Sequence, residues 1–514
     1  MKMTPKASPP AGAGWLAALI GLGCGCPTAH AAEEGQTDLL GGLHVSGYVR
    51  TWASFNLENP PETAENDRGD LSMLRGALSL NADLKTGPLN WKAVVRADRE
   101  YRTKYLERLE NINRSGTFSG GPGSDVVGLY NRSEIRELFV DADPTDRLHL
   151  RLGKQQVVWG ETDFFHLTDL IHGFDFRWRS FLERENDEVR KPLILLNAKL
   201  DVPEANGALQ LIVRPGFNRD RDTGNTYDLS GGRWALQPNK GVDFLAPGAL
   251  TYDYRHPDAN TKDTTGGLRW SGIAGPVNYS VSYLKTFNPD PVVNSAFVPY
   301  GKAPVGTLGD FIYPKIDVIG ASVSGELTAI DAVLNGEIAY QRKVPYNVGS
   351  NFFDGALPGF GGITRKNVVV SSIRLDKQLR LQELLGTNAP SFASIQVFDT
   401  WIQSFNDGDD LVQLAGYGAK VKKHTTILSG FITFPYRHGT VNPQLAFGTD
   451  LSNGDAFLIP SVEFQWGNHW RLVVEGDLFF PKNQKRPGEV ETSAHPIGGF
   501  AHNSQLLLRA TYQF

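Results

Sequence analysis

Apolar and polar residues alternate along one segment after another of this chain. In one such segment, Leu89, Trp91 and Ala93 alternate with Asn90 and Lys92. Successive side chains of a β-strand point to opposite faces, so this period of two predicts strands with one apolar face and one wet face. Such strands fit either a soluble sandwich, whose apolar face forms the core, or a membrane barrel, whose apolar face meets lipid. The pattern therefore restricts the chain to an all-β fold.

The connections between the alternating segments favour the barrel. Short connections, such as 86–88 and 143–146, mostly alternate with long polar ones, such as 101–130 and 216–263. Membrane barrels have short periplasmic turns and long extracellular loops. Long structureless loops are uncommon within a soluble domain. We therefore expect a transmembrane antiparallel β-barrel with long extracellular loops and short periplasmic turns.

We count eighteen alternating segments as strands, and this even number brings both termini to the periplasmic side. Sixteen is the alternative, since the segments 312–325 and 441–451 alternate poorly. The predicted strands are 43–57, 71–86, 88–100, 131–143, 147–159, 192–202, 206–215, 264–274, 276–287, 312–325, 330–343, 366–380, 391–404, 423–435, 441–451, 456–466, 469–480 and 503–514.

The C-terminal segment 506–514 alternates to its last residue. It carries Tyr512 and ends on the aromatic residue Phe514. A closing barrel strand places an aromatic side chain at the membrane interface. The segment resembles the C-terminal signature that barrel-assembly machinery reads. We therefore expect Tyr512 and Phe514 to form an assembly signal, with that machinery as a partner.

The N-terminal residues 1–31 are predicted to be a secretory signal peptide. A basic start precedes the apolar stretch 15–22, and residues 29–31 form a small-x-small cleavage site. The apolar stretch is too short to span a bilayer as an anchor. We expect residues 32–514 to form one barrel domain in the outer membrane of a Gram-negative bacterium.

The composition argues against several other classes of protein. Both cysteines, Cys24 and Cys26, lie in the predicted signal peptide, so the mature chain is expected to lack disulfides, zinc–thiolate sites and a cysteine nucleophile. After the signal, the sequence has no apolar run long enough for a transmembrane helix. The net charge is -5 and the sequence has no basic run, which argues against a nucleic-acid partner. We expect no cofactor, no metal site and no catalytic residue.

The densest motif lies at 148–200. An Arg-x-Gly-Lys-Gln-x-Val-x-Trp-Gly-Glu run ends at Glu161, an aromatic and charged loop spans 160–192, and a Lys-Pro-Leu restart precedes an Asn-x-x-Leu strand. These motifs resemble a family of uncharacterised proteobacterial outer-membrane barrels known as domain of unknown function 1302. The resemblance covers the mature chain. It implies a porin-like channel that accompanies export or uptake systems for hydrophobic or unusual carbon compounds, and it implies no catalytic residues.

Two hypotheses account for the 160–192 loop. Aromatic and arginine side chains at this density usually pack against something or stack on a ligand. One hypothesis is that the loop folds into the lumen and narrows the pore. The other is that it packs as an external loop or forms a subunit contact. Its candidate pore-lining or solute-binding residues are Glu161, Phe165, Arg177 and Trp178.

Charged residues of both signs are expected to face the lumen. A ring of one charge sign would select ions. Here both signs mix along the same strands, which favours a wall of mutual salt bridges with no clear anion or cation preference. The strand residues that we expect to line the pore or contact solute are Arg96, Asp98, Arg151, Lys199, Arg214, Arg269, Arg471 and Arg509.

These patterns predict a channel that passes small molecules across the outer membrane, including the hydrophobic or unusual compounds that the resemblance implies. Its expected partners are outer-membrane lipid, the solute, and a periplasmic or inner-membrane transport protein. One alternative is a docking barrel of an export or uptake system. A less favoured alternative is a lipid-acting enzyme, since the sequence contains no Gly-x-Ser-x-Gly nucleophile motif. The sequence leaves the solute, the direction of transport and the oligomeric state open.

Overall fold

Eighteen antiparallel strands close into one barrel within the part of the chain that the structure describes. The structure is a computed structural model that describes residues 37–38, 42–117, 119–160, 167–183, 185–217, 223–236, 239–252, 261–294, 307–349, 362–413, 419–482 and 497–514. The barrel strands β1 to β18, in chain order, are Leu43–Asn56, Leu71–Thr86, Leu89–Glu100, Arg132–Thr145, Leu148–Gln155, Leu193–Val202, Gly207–Arg214, Thr265–Ala274, Val277–Phe287, Lys315–Leu327, Ala332–Val348, Gly362–Leu379, Ser391–Ile402, His424–Thr433, Val441–Asp450, Ala456–Trp466, Trp470–Phe480 and Gln505–Gln513. The predicted count of eighteen is confirmed, and the two poorly alternating segments form β10 and β15.

The first and last strands close the barrel. Strand β18 pairs with β1 in antiparallel register from Asn56–Gln505 to Tyr48–Gln513. The N–H of Gly47 donates to the Phe514 carbonyl (2.8 Å), and the N–H of Phe514 donates back (3.0 Å). A Cβ at Gly47 would lie 2.2 Å from the Ser79 carbonyl oxygen, so this position requires glycine. Closure pairs the first strand with the last, so neither is the free edge strand of an open sheet, which would promote aggregation.

The two faces of the barrel wall differ in polarity. On β11 and β12, the outward side chains of Ile338 and Ile373 are 51% and 63% exposed, whereas the inward Glu337 and Ser372 are 6% and 5% exposed. An apolar band this exposed is the surface that a barrel presents to lipid. Exposed aromatic side chains, which favour bilayer interfaces, lie near both ends of the strands: Trp91, Trp466, Trp470 and Phe514 at one end, and Tyr283, Trp401 and Phe480 at the other.

The connections at the two ends of the barrel have unequal lengths. Residues 87–88 and 275–276 make two-residue turns at one end. At the other end, residues 101–131, 156–192 and 215–264 make long connections. The N-terminal end of β1 and the C-terminal end of β18 both lie at the short-turn end. The placement of the long connections outside the cell stays a prediction.

Several long connections contain helices and short strands. The helices are α1 (Lys104–Ser115), α2 (Val126–Tyr130), α3 (Asn186–Val189) and α4 (Gln382–Leu385). Single 3₁₀ turns cover Pro122–Asp125, Ser180–Leu182, Pro203–Ala205, Thr261–Asp263, Asp407–Asp409, Arg437–Gly439 and Gly498–Phe500. The strands outside the barrel ladder are Thr37–Asp38, Leu250–Tyr252, Val292–Asn294, Gly309–Ile312, Leu411–Gln413 and Ala419–Lys420. None of the helices among the described residues is long and apolar enough to cross a membrane.

Helix α1 packs against the inner wall. Its N-terminus is capped by Thr103, whose hydroxyl accepts the N–H of Leu106 (3.2 Å). Leu106 and Leu109, three residues apart on one face, are fully buried in a cluster that includes Trp52 of β1 and Met73 of β2. The sequence predicted only a long polar loop over 101–130. The amphipathic spacing of these leucines is the signal for the helix.

Strand β5 ends earlier than the sequence predicted. Its ladder stops at Gln155, whereas alternation suggested a strand over 147–159. The chain leaves the wall here because Val157 and Trp159 turn inward and become buried. The N–H of Val157 donates to Nε2 of His172 (2.9 Å) rather than to a neighbouring strand.

Candidate functional site in the barrel lumen

The described part of the connection between β5 and β6 crosses the inside of the barrel. Thr168 donates to Glu337 of β11 (2.9 Å), and Arg179 contacts Glu475 and Asp477 of β17. Strands β11 and β17 each lie six strands from β5, in opposite directions around the eighteen-strand wall. One connection therefore touches three points spaced a third of the circumference apart. We call its described residues, 156–160, 167–183 and 185–192, the inner segment.

The first half of the inner segment packs against an apolar part of the wall. Trp159 donates its indole N–H to Gln210 of β7 (2.9 Å). A Cβ at Gly267 of β8 would lie 2.9 Å from the Trp159 ring, and one at Gly320 of β10 would lie 3.1 Å from Thr168. The two wall glycines thus leave room for side chains of the inner segment.

His172 holds two parts of the inner segment together. Its Nε2 accepts the N–H of Val157 (2.9 Å), and its Nδ1 donates to the Lys191 carbonyl (2.9 Å). This arrangement requires the neutral imidazole, with its proton on Nδ1. Burial lowers the pKa of His172 to about 4, which keeps the ring neutral at physiological pH.

Buried ion pairs join the second half of the inner segment to the wall. Arg179 is 1% exposed and contacts Glu183 (3.1 Å) together with the two carboxylates of β17. Arg509 of β18 lies 3.3 Å from Glu183. Burial raises the pKa of Glu183, but Arg179 and Arg509 outweigh it and lower that pKa to about 2. The carboxylate is therefore charged and paired.

A second set of ion pairs converges on Glu188. This buried carboxylate accepts from Arg50 (3.1 Å) and Tyr48 (2.6 Å) of β1, and it contacts Arg96 of β3. Arg96 also pairs with Asp98 of its own strand (3.0 Å). Charges of opposite sign thus neutralise one another where the inner segment meets the wall.

Trp178 is buried in the same hydrophobic cluster as Trp52. Its ring meets that of Trp52 edge to face, with centroids 5.4 Å apart. The guanidinium of Arg75 lies 4.7 Å from the Trp178 centroid, within cation–π range. Arg177, the preceding residue, bonds to both oxygens of Asp175 (2.8 and 2.6 Å).

Three cavities lie in different parts of the described structure. A cavity of about 10 Å³, enough for about one water molecule, contains the predicted Arg96, Asp98, Arg177 and Trp178 in its lining. A cavity of about 300 Å³ adjoins it through Tyr130 and lies among the long connections. At the short-turn end, an open pocket of about 680 Å³ is lined by turn residues and by Phe464, which stacks on the exposed Trp466 of the outer face. This pocket therefore lies outside the lumen.

Three other predicted site residues lie on the inner face nearer the short-turn end, away from the small cavity. Arg151 forms a bidentate pair with Asp141 (2.6 and 2.9 Å), Lys199 pairs with Asp201 (2.9 Å), and Arg471 lies 3.4 Å from Glu463. These pairs lie within the wall near the short-turn end and are partly exposed. The remaining predicted residues are Arg214 of β7, Arg269 of β8 and Arg509 of β18, and Glu161 and Phe165, which lie outside the described residues.

Sequence reasoning did not single out several residues that hold the site together. Arg50, Arg179, Glu183 and Glu188 were not candidates, although the density of arginine and glutamate over 177–190 is visible in the sequence. That density shows that charges must pair. It does not show which strand carries each partner.

The closed antiparallel sheet, the apolar exterior and the charged interior define an outer-membrane β-barrel protein. The chain belongs to the family described as "Protein of unknown function (DUF1302)", which it matches over residues 12–514. None of the curated proteins gives a significant match.

Solved structures with a similar architecture include three bacterial proteins. OccAB3 of Acinetobacter baumannii has a TM-score of 0.46 and 8% identity, covering 92% of this chain and 100% of that one. OccK5 (OpdH) of Pseudomonas aeruginosa has a TM-score of 0.43 and 8% identity, covering 93% and 99%. The outer membrane channel DcaP of A. baumannii has a TM-score of 0.37 and 10% identity, covering 94% and 100%.

Proposed function

We propose that this protein is an outer-membrane channel that passes small molecules without chemical conversion. The observation that carries the proposal is the inner segment, which crosses a charged lumen and packs around a cavity of only about 10 Å³, with a cavity of about 300 Å³ beside it among the long connections. In a channel this arrangement narrows the path at one level, near Trp178. The long connections face the cell exterior in this proposal, and residues 1–31 are removed during export.

Paired charges along the lumen set the kind of solute that we expect. Arginines and carboxylates neutralise one another at the narrow level, so the path favours neither anions nor cations strongly. We propose small organic molecules as solutes, including hydrophobic or unusual compounds. Aromatic and apolar residues of the inner segment support this choice.

Single-channel conductance tests whether the inner segment is the constriction. Deleting residues 160–192 and closing the gap with a short glycine–serine linker should raise the conductance in planar bilayers. Glycine substitutions at Phe165, Arg177 and Trp178 are a milder form of the same test. Unchanged conductance would show that this connection does not limit the path.

Liposome swelling tests the solute range. Proteoliposomes should swell in a panel of sugars, organic acids and small aromatic compounds at rates that fall with solute size. A channel with a binding site would admit one class much faster than others of the same size. Failure of every solute to enter would contradict the channel proposal.

The dense packing of the lumen favours docking as the second candidate function. The cavity at the narrow level has room for about one water molecule. A barrel closed in this way would serve to anchor a periplasmic or inner-membrane transport protein. Absence of conductance, together with co-purification of such a protein, would favour docking over passage.

A further inference from the structure

Among the described residues, strand β4 has a stretch of edge without a ladder partner on one side. Strand β4 pairs with β3 from Arg132 onward, but its pairing with β5 begins only at Leu138. Residues 132–137 therefore have no ladder partner on the β5 side within the described part of the chain. Six residues of strand correspond to roughly 20 Å of open edge.

We call the space beside this uncovered stretch of β4 the notch. It lies at the level of the lipid-facing band. Ile135, on the uncovered stretch, is 53% exposed and faces outward beside Val95, its partner on β3. One level nearer the long connections, Arg99 of β3 donates to the Ser133 hydroxyl (2.9 Å), which marks the start of the polar rim. With the long connections outside, the notch opens toward the outer leaflet.

The inner segment seals the notch with side chains instead of a strand ladder. Arg136 donates to the carbonyls of Asp187 and Arg190, the latter at 2.7 Å. The N–H of Gln156 donates to a Glu137 carboxylate oxygen (3.1 Å). An uncovered sheet edge is tolerated at membrane depth only where protein or a cavity satisfies it. A few side-chain contacts can open without breaking the barrel ladder.

The small cavity at the narrow level lies directly behind this seal. It is lined both by Arg132 of the uncovered stretch and by Glu188 of the inner segment. It adjoins the 300 Å³ cavity through Leu129 and Tyr130. Polar groups and apolar surface thus follow one another from the lipid-facing notch to the larger cavity.

We propose that the notch between β4 and the inner segment is a lateral portal for molecules that partition into the outer leaflet. Its occupants are small, largely apolar compounds with one polar group, which would enter the lumen from lipid rather than from water. This proposal rests on the proposed channel function and specifies its substrate class and route. It assigns to Arg136 the role of holding the portal closed.

Reversible cross-linking across the notch tests the portal. Ser133→Cys and Asp187→Cys are combined, because both residues are exposed and the Asp187 carbonyl binds Arg136. A short bis-methanethiosulfonate joins the two thiols, and dithiothreitol releases them. Outer-membrane vesicles are assayed for entry of the fluorescent amphiphile N-phenyl-1-naphthylamine and for swelling in arabinose. The control pair is Ile373→Cys with Val397→Cys, two directly opposed outward residues on an intact part of the wall.

Cross-linking at the notch should reduce amphiphile entry to the rate of vesicles without the protein, and reductant should restore it. Arabinose swelling and the control pair should be unaffected. If the cross-link leaves amphiphile entry unchanged, or lowers amphiphile and arabinose entry together, the lateral route is wrong while the channel stands. If the unmodified protein admits neither probe, the channel proposal itself fails.

Discussion

At the residue scale, buried ion pairs join the inner segment to the barrel wall. They stabilise the protein only while every charged partner is present. Arg179 has three carboxylate neighbours and almost no exposure to water. Removing one member of a buried set leaves the others charged in a poorly solvated place. A partly exposed pair such as Arg471 with Glu463 stays hydrated and contributes little to the free energy of unfolding.

The variants Arg179→Leu and Arg471→Leu should therefore differ in stability. Arg179→Leu should lower the free energy of unfolding by about 3–5 kcal/mol, because Glu183, Glu475 and Asp477 lose their cation. Arg471→Leu should change it by less than about 1 kcal/mol. Urea titration followed by tryptophan fluorescence measures both. Equal effects would show that the buried pairs do not secure the inner segment.

The neutral state of His172 predicts a pH dependence. Burial lowers its pKa to about 4, opposed by Asp169 and aided by Arg190. The unfolded chain, with a histidine pKa of about 6.5, binds the proton first as pH falls. The stabilisation is thus complete above pH of about 6.5 and is lost toward pH 4, by about 3 kcal/mol at most.

Protease cleavage of the inner segment should accordingly accelerate between pH 7 and pH 4.5, with a protease active at both values. His172→Gln can replace both hydrogen bonds without titrating, so its cleavage rate should depend less on pH. An identical pH profile in the two proteins would assign the effect to other groups.

At the scale of elements, strands were easier to predict than the connections. Strand β16 spans the predicted residues, and most other ends differ by a few residues, because alternation is a local property. The end of β5 was missed because Val157 and Trp159 continue the alternation while bonding to a distant histidine. Helix α1 was missed because its apolar face is short and lies within a polar stretch.

The closing strand carries a prediction about assembly. Both main-chain groups of Phe514 pair with Gly47, so this residue completes the ladder between β18 and β1. Deleting Phe514 should strongly reduce the amount of heat-modifiable, folded barrel in the outer membrane. Phe480→Ala, which removes an exposed aromatic ring at the opposite end of the wall, is the control and should reduce it less. Equal yields for both variants would contradict an assembly signal at Phe514.

At the scale of the whole molecule, the apolar outer surface of the barrel determines the environment in which the protein is stable. Outward apolar side chains surround the wall, so the barrel requires lipid or detergent outside. Ile373→Lys, on this surface, should make folding into a bilayer less favourable by about 2–4 kcal/mol. Leu384→Lys, on the exposed short connection, should change it by less than about 0.5 kcal/mol. A tolerated lysine at Ile373 would show that this face does not meet lipid.

The candidate site was partly predictable. Alternation identified Arg96 and Asp98 as inward residues, and aromatic density identified Trp178 in the loop. The structure brings these together around one small cavity. The lysine and arginines nearer the short turns, such as Lys199, pair within the wall instead. The odd or even position of a residue along a strand predicts which face of the wall it lies on. It does not predict the level of the residue along the barrel axis or its ion-pair partner.

The sequence by itself determined the barrel, because the direction of each strand side chain follows from its position relative to its immediate neighbours. The tertiary structure decided what fills the lumen and where the wall is incomplete. Arg179 contacts a carboxylate 296 residues away in the chain. Strand β4 extends beyond the end of β5 because the chain turns inward after Gln155. Such contacts form only after distant strands have paired, so no local pattern can specify them.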